Sequence, residues 1–302
     1  MDMKRATYAA VATMLLATAA LAQSAGGSGM SFLKIPGDAR SAALGGNGAT
    51  LAEGAAAIFH NPAAFAEESN TELLVTGDRW IQDVSRRAFA ARFSVFGVPL
   101  GVGVNSTSVD GVEVREKPGP AQSTIEANYF AASVGAGFHV AENISAGVAV
   151  KYLYEGLLAD EATGWAADIG ARYRIDENLD VSFAARNLGA MNELREKATE
   201  LPMEIRFGPA YRYALEESRI DLAAAVEYQK WLAADDHHVN ASLEATYDET
   251  FALRLGYRSM YESHGLAAGF GVAYGGVAID YAAIPFAYDL GLAHSFALRV
   301  GW

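Results

Sequence analysis

The 302-residue chain contains no cysteine. Disulfides are therefore excluded as a source of stability, which must come from a packed core or a closed sheet. Beyond residue 22 no run of 18 apolar residues occurs, although 51% of the residues are hydrophobic. A helical span needs about 20 consecutive apolar residues, so membrane helices are excluded as well. Basic residues are few: 23 Lys and Arg stand against 36 Asp and Glu, for a net charge of −13. That balance argues against nucleic acid, whose phosphates require basic patches. The chain also lacks H-E-x-x-H, G-x-S-x-G and P-loop signatures. Gly101-x-Gly103 sits in an alternating strand rather than a phosphate-binding turn. Asp235-Asp236-His237-His238 reads as a charged loop without the fixed scaffold that a metal requires. His294-Ser295 would have to serve as base and nucleophile, yet neighbours on a strand point to opposite faces. No catalytic residue, metal or cofactor is expected, and the chain reads as non-enzymatic.

What is present is alternation. From Thr71 onward, segments of about ten residues alternate between apolar and small or polar positions, separated by turn residues. Ile144, Ala146, Val148, Val150, Tyr152 and Tyr154 oppose Ser145, Gly147, Ala149, Lys151 and Glu155. Trp165, Ala167, Ile169, Ala171, Tyr173 and Ile175 oppose Asp168, Arg172 and Arg174. Val239, Ala241, Leu243, Ala245 and Tyr247 oppose Asn240, Ser242, Glu244 and Thr246. Phe251, Leu253, Leu255 and Tyr257 oppose Ala252, Arg254, Gly256 and Arg258. Tyr and Trp recur at segment ends, where interfacial girdles would place them. The last segment puts Phe296, Leu298, Val300 and Trp302 on one face, and ends on the aromatic. Phe296 and Trp302 thus read as a barrel-assembly signal. Thirty glycines and abundant alanine suit strands whose inner faces must stay small.

The spacing predicts an all-β transmembrane protein, an antiparallel outer-membrane β-barrel of about 14 strands. Connections after even strands are short, around Gly97-Val98, Ala141-Glu142-Asn143, Asp176-Glu177-Asn178, Glu216-Glu217-Ser218, Asp248-Glu249 and Gly275-Gly276. Those after odd strands are longer and more charged, spanning 110–123, 156–164, 187–200, 230–237 and 259–265. Short periplasmic turns and long outer loops have this asymmetry, and an even strand count places both mature termini in the periplasm. At the other end, Lys4 and Arg5 precede an apolar stretch (6–20) and the small-x-small Ala20-Leu21-Ala22. Residues 1–22 read as a signal peptide, 23–70 as a linker and hatch, and 71–302 as the barrel. Two short helical pieces are expected near 39–44 and 53–59.

The pre-barrel segment carries the most specific pattern: Asp38-Ala39-Arg40-Ser41-Ala42-Ala43-Leu44-Gly45-Gly46-Asn47-Gly48-Ala49, and later Asn61-Pro62-Ala63-Ala64-Phe65-Ala66. Near the end come Asp280-Tyr281-Ala282, Pro285-Phe286, Leu290-Gly291 and His294. Together these resemble the PorV/PorQ family of outer-membrane proteins, similar in plan to FadL-type barrels. Asn47 stands where that family usually has Ala, Phe65 replaces Leu, and an Asp-rich stretch is reduced to Glu53. The resemblance implies that the segment folds into the lumen as a short helical hatch. It also implies participation in type IX secretion, in which the barrel docks secretion-system subunits or cargo C-terminal domains. The outer spans 110–123, 187–200 and 259–265 are then the candidate contacts, beside outer-membrane lipid and the barrel-assembly machinery. Within the hatch, Gly45-Gly46 suits a tight turn and Asn61-Pro62 a helix stop. Arg40 and Asn61 are expected to bond lumen groups such as Asp168, Glu204, Glu227 or Asp280. The alternative is a FadL-like transporter of hydrophobic small molecules, with Met191, Leu194, Ile284, Phe286 and Leu290 as candidates for an apolar pocket. A purely structural membrane protein is the third reading.

Overall fold

The structure, a computed structural model, describes residues 28–67, 70–81, 83–114, 123–158, 160–195, 197–234 and 236–302. The expected signal peptide lies outside them. Fourteen strands among the described residues close into one antiparallel barrel. They are β1 (Glu72–Arg79), β2 (Val84–Val95), β3 (Val98–Val114), β4 (Ser123–Ala141), β5 (Ile144–Leu157), β6 (Asp160–Arg174), β7 (Leu179–Met191), β10 (Glu204–Leu215), β11 (Ile220–Trp231), β12 (Asp236–Tyr247), β13 (Phe251–Arg258), β14 (Leu266–Tyr274), β15 (Val277–Phe286) and β16 (Gly291–Gly301). A separate two-stranded hairpin, β8 (Glu193–Leu194) with β9 (Lys197–Ala198), decorates the β7–β10 connection. The sheet closes where β1 meets β16, from Glu72 opposite Gly301 to Arg79 opposite His294. Thr71 and Trp302 exchange both backbone hydrogen bonds, at 3.1 and 3.0 Å. No strand edge is left open, as a lipid environment requires.

The faces are inverted relative to a soluble protein. Outside, Val148, Ile169, Leu253, Leu255 and Phe270 are exposed, and Phe296 and Trp302 are 56% and 69% exposed. Inside, Arg86, Lys151, Asp168, Glu204, Glu227, Arg254 and Asp280 are buried. A soluble sandwich would do the opposite, so this pattern identifies a membrane barrel.

All six short connections fall where the sequence places them. Two are two-residue turns with both central residues in the left-handed region, Phe96-Gly97 and Gly275-Gly276, and the three-residue turn 248–250 begins with Asp248 and Glu249 in the same region. That geometry matches the twist of the flanking strands. At the opposite mouth the strands run further than expected. β5 continues to Leu157 and β6 resumes at Asp160, while β11 and β12 leave only 232–235 between them. The charged stretches 156–164 and 230–237 are thus largely ladder rather than loop, because backbone pairing continues beyond the apolar band.

The segment before the barrel traverses the lumen. Gly29 N–H donates to Glu200 O at 2.9 Å, at the long-connection mouth, whereas Glu67 reaches Ser145 and Arg174 at the short-turn mouth. The described N-terminal residues and Trp302 therefore lie at opposite mouths, and the expected mature N-terminus itself lies outside the described residues. Between these points run short helices at Ser31–Lys34, Ala39–Ala43, Gly48–Leu51, Gly54–Phe59 and Pro62–Glu67. Wall glycines make the room. A Cβ on Gly256 would overlap Leu44 and Gly45, one on Gly147 would overlap Pro62 and Ala63, and one on Gly170 would overlap Asn61.

Candidate functional site

The hatch is docked by ion pairs and by guanidinium–carbonyl contacts. Asp38 caps the Ala39–Ala43 helix by accepting Ser41 N–H at 3.3 Å. His60 Nε2 lies 3.1 Å from Asp38 Oδ1. Burial alone would raise the Asp38 carboxyl. Its hydrogen bonds from His60 and Ser41 and the nearby Arg40 charge outweigh that, and hold it well below the usual carboxylate range. The helix ends at Gly45 and Gly46, with φ of 65° and 76°. Their N–H groups donate back to Ala42 O and Ser41 O at 3.2 and 2.8 Å, the left-handed termination that glycine permits. Leu44 packs with Leu51, Ala210, Ala223 and Ala225.

Arg40 is the centre of the docking. Its Nε and Nη2 donate to the two Glu244 oxygens at 2.9 and 2.7 Å, and its Nη1 donates to Leu51 O at 2.7 Å. Nη2 also meets Glu53 Oε1 at 3.1 Å. The wall partner is thus Glu244, rather than the expected Asp168, Glu204, Glu227 or Asp280. Asp280 joins indirectly: Arg254 bridges Glu244 to Asp280 Oδ1 (2.7 Å to the latter), and Arg299 holds Asp280 Oδ2 at 3.0 Å. Glu227 does hold the hatch, but through backbone, accepting Ala49 and Thr50 N–H at 3.0 and 3.1 Å. Asn61 bonds no lumen carboxylate. Its Nδ2 donates to Ala49 O at 2.8 Å and its Oδ1 accepts Ala63 N–H at 3.1 Å, so Asn61-Pro62 forms the expected turn into the next helix.

Five wall arginines grip the hatch main chain. Arg86 donates to Pro36 O, Arg258 to Gly45 O at 3.0 Å, and Arg206 to Gly46 O at 2.5 Å. Arg172 donates to Ala52 O at 3.2 Å, and Arg92 to Phe65 O at 3.3 Å. Arg206 is neutralised by Glu204 and Glu227 at 2.8 and 2.9 Å. Glu244 and Arg254 were visible in the sequence as inward members of alternating strands. The pairing of Glu244 with Arg40 was not, because it spans 204 residues.

The C-terminal motif divides between faces. Asp280, Ile284 and Phe286 point inward. Tyr281 and His294 meet on the lipid side, with Tyr281 O–H and His294 Nδ1 2.8 Å apart. Ser295 is buried on the inner face, away from His294. Pro285 faces outward opposite Leu292, and Leu290 and Gly291 form the turn into β16.

The outer half of the lumen is different in character. Met30, Phe32 and Leu33 from the hatch pack with Leu153, Met191 and Leu201, and with alanines of β4 and β6; Leu194 and Met203 lie at the edge. Of the residues proposed for an apolar pocket, Met191 and Leu194 belong here. Ile284 and Phe286 instead join a second cluster with Ala42, Ala43 and Trp80. Beside them, His238, Tyr261, His264, Phe286 and Trp80 form a chain of rings with successive centroid separations of 3.8, 4.7, 4.6 and 5.6 Å. This strap draws the connection 259–265 over the lumen. Between hatch and wall lie enclosed voids of about 10 and 20 Å³, while hollows of about 470 and 130 Å³ open at the short-turn mouth. Among the described residues, the hatch occupies the lumen.

This arrangement has counterparts of known structure. The chain is similar to the Ralstonia pickettii toluene transporter TbuX, with a TM-score of 0.60 and 13% identity over 88% of this chain and 98% of that one. It is similar to the Pseudomonas putida toluene transporter TodX, with a TM-score of 0.59 and 14% identity over 87% and 96%. A Pseudomonas aeruginosa FadL homologue gives 0.55 and 11% over 88% and 98%. The likeness is one of fold. No family model matches the chain, and no curated protein matches it. The FadL-type plan expected from sequence is therefore present, while nothing in these comparisons speaks for PorV or PorQ in particular.

Proposed function

We propose that the protein is an outer-membrane channel for hydrophobic small molecules, working by binding and passage with no chemistry of its own. The observation that carries this reading is the apolar cluster in the outer half of the lumen, set above a hatch held by ion pairs. An apolar solute leaving water gains about 25 cal/mol for each Å² it buries in such a cluster. The charged lower lumen offers it nothing comparable, so the cluster is where it would pause. Met30, Phe32 and Leu33 already fill that space, and a solute enters by displacing them. Fold likeness to toluene transporters supports the same class of cargo over the protein-docking alternative. Residence in the outer membrane, with the short turns on the periplasmic side, belongs to this reading.

The test is uptake of radiolabelled toluene by cells whose outer membrane otherwise excludes it. Expression of this chain should raise uptake severalfold, and Met191→Trp, which fills the cluster, should return it to background. Background uptake with a correctly inserted wild-type barrel would overturn the reading. Recovery of stoichiometric secretion subunits or cargo domains with the extracted barrel would favour docking instead.

A further inference from the structure

One enclosed void, of about 10 Å³, lies between the hatch and β7, β10, β11, β12 and β13. Its wall is cationic: Lys34, Arg186, Arg206 and Arg258 all border it. Three of these have carboxylate neighbours. Arg206 pairs with Glu204 and Glu227, and Arg186 pairs with Glu204 at 2.7 Å and lies 4.0 Å from Asp168. Lys34 feels Asp236 and Glu204, and its Nζ lies over the Trp231 ring at 5.0 Å.

Arg258 differs. It is 6% exposed, and among the described residues no carboxylate pairs with it. Its Nε donates to Gly45 O, and its Nη1 meets His264 Nε2 at 3.2 Å. His264 is neutral at ordinary pH, since burial and the charges of Arg258 and His238 hold it down at about 3. The Tyr261 ring lies 6.0 Å from the guanidinium carbon of Arg258, and the cation of Arg206 also acts on that guanidinium. Its Nη2 has no hydrogen-bond partner. The glycine at position 46 brings main chain against this nitrogen, where a Cβ would stand 3.2 Å away. A buried guanidinium with one free donor and no counter-charge is unfavourable, and a hydrogen bond donated to water returns little of that cost.

We propose that this void holds one small inorganic anion, of chloride size, against Arg258 Nη2 and beside Arg186 and Lys34. Size decides the class. About 10 Å³ is room for about one water-sized sphere, which favours a single-atom anion over phosphate, sulfate or an organic carboxylate. A water would also fit, and could bridge Arg258 Nη2 to the unpartnered Asn240 Oδ1 directly across the strand pair. It would leave the charge uncompensated. The anion ties Gly45-Gly46 of the hatch to the wall from the inside, and is independent of the transported solute.

Bromide replaces chloride and scatters anomalously. Crystals of the full-length barrel grown in sodium bromide should show one anomalous peak within hydrogen-bond distance of the Arg258 guanidinium, and the absence of a peak there would overturn the proposal in favour of water. In solution, the thermal midpoint of the detergent-solubilised barrel should rise by a few degrees when gluconate is replaced by chloride at constant ionic strength. Arg258→Gln should abolish that shift, whereas Arg212→Gln, at a half-buried ion pair with Asp180 near the short-turn mouth, should keep it. Equal midpoints in chloride and gluconate, or an undiminished shift in the Arg258→Gln variant, would refute the site. Should that variant not fold, the bromide peak decides alone. None of these readouts depends on toluene uptake, so failure here and failure of the transport reading are separable.

Discussion

Replacing Arg40 by alanine should loosen the hatch without opening the barrel. The side chain makes two bonds to Glu244, one to Leu51 O and one to Glu53. Breaking a buried ion pair from one side costs about 3–5 kcal/mol. Two features lower that figure here. Glu244 keeps Arg254 as a partner, and the hollow of about 130 Å³ beside Arg40 lets water from the short-turn mouth reach the vacated carboxylate. A loss of about 2–3 kcal/mol follows, and at about 1.36 kcal/mol per decade it raises the undocked population of the helix about 30- to 150-fold. Hydrogen exchange read by mass spectrometry measures this directly. The amides of Ala42 and Leu44, bonded to Asp38 O and Arg40 O, should lose protection by that factor while strand amides of β5 and β6 stay unchanged. Glu244→Gln should reproduce part of the effect, and the double variant should cost less than the sum of the two. Protection within threefold of wild type would refute the assignment of Arg40 as the docking residue.

Further outcomes follow from other contacts. Gly256→Ala should destabilise by about 1–3 kcal/mol, because the new methyl collides with the Gly45 backbone; Gly77→Ala, whose Cβ meets open space, should be neutral in the same urea unfolding assay. Lys151→Met removes a buried partner 2.8 Å from Asp168 and should cost about 3–5 kcal/mol, a loss that Lys151→Met with Asp168→Asn recovers in part; an equal loss in both would show that the charge is not the cause. His264 has its proton affinity lowered in the docked strap. Between about pH 6.5 and 3 the released loop therefore binds a proton that the docked loop refuses. Protection of 259–265, corrected for intrinsic exchange, should fall from pH 7.5 to pH 5, and pH-independent protection would count against this. Phe296→Ala should lower the yield of heat-modifiable, folded barrel in membranes more than Leu298→Ala does, if Phe296 acts in assembly and not merely in lipid contact.

The barrel was legible because period-two alternation is local: each of the six short turns and the inward set Lys151, Asp168, Arg172, Glu244 and Arg254 can be read within ten residues. Two-residue turns also leave a local mark, as at Gly275-Gly276. The hatch was legible as a compositional break with helix-stopping glycines. The partners across the lumen were not, because nothing in the Arg40 neighbourhood specifies which of several inward carboxylates the closed barrel brings within 3 Å. Nor did the sequence show that charged ends would continue as ladder, since hydrogen bonding between strands is indifferent to side-chain polarity outside the apolar band. The aromatic strap was missed for a related reason: Trp80, His238, Tyr261, His264 and Phe286 come from four separate stretches and meet only after closure.

The five wall arginines that hold the hatch do so largely through its carbonyl oxygens. A main-chain oxygen is the same whatever residue carries it. The barrel thus recognises the course of the inserted segment more than its spelling, and substitutions between small residues along it should be accepted as long as the path, the left-handed pair at 45–46 and the Arg40 contact survive. Such a plug can be re-lettered on its apolar outer stretch, at Met30, Phe32 and Leu33, while its anchorage stays as it is, and a lineage can change what the lumen admits without rebuilding the wall.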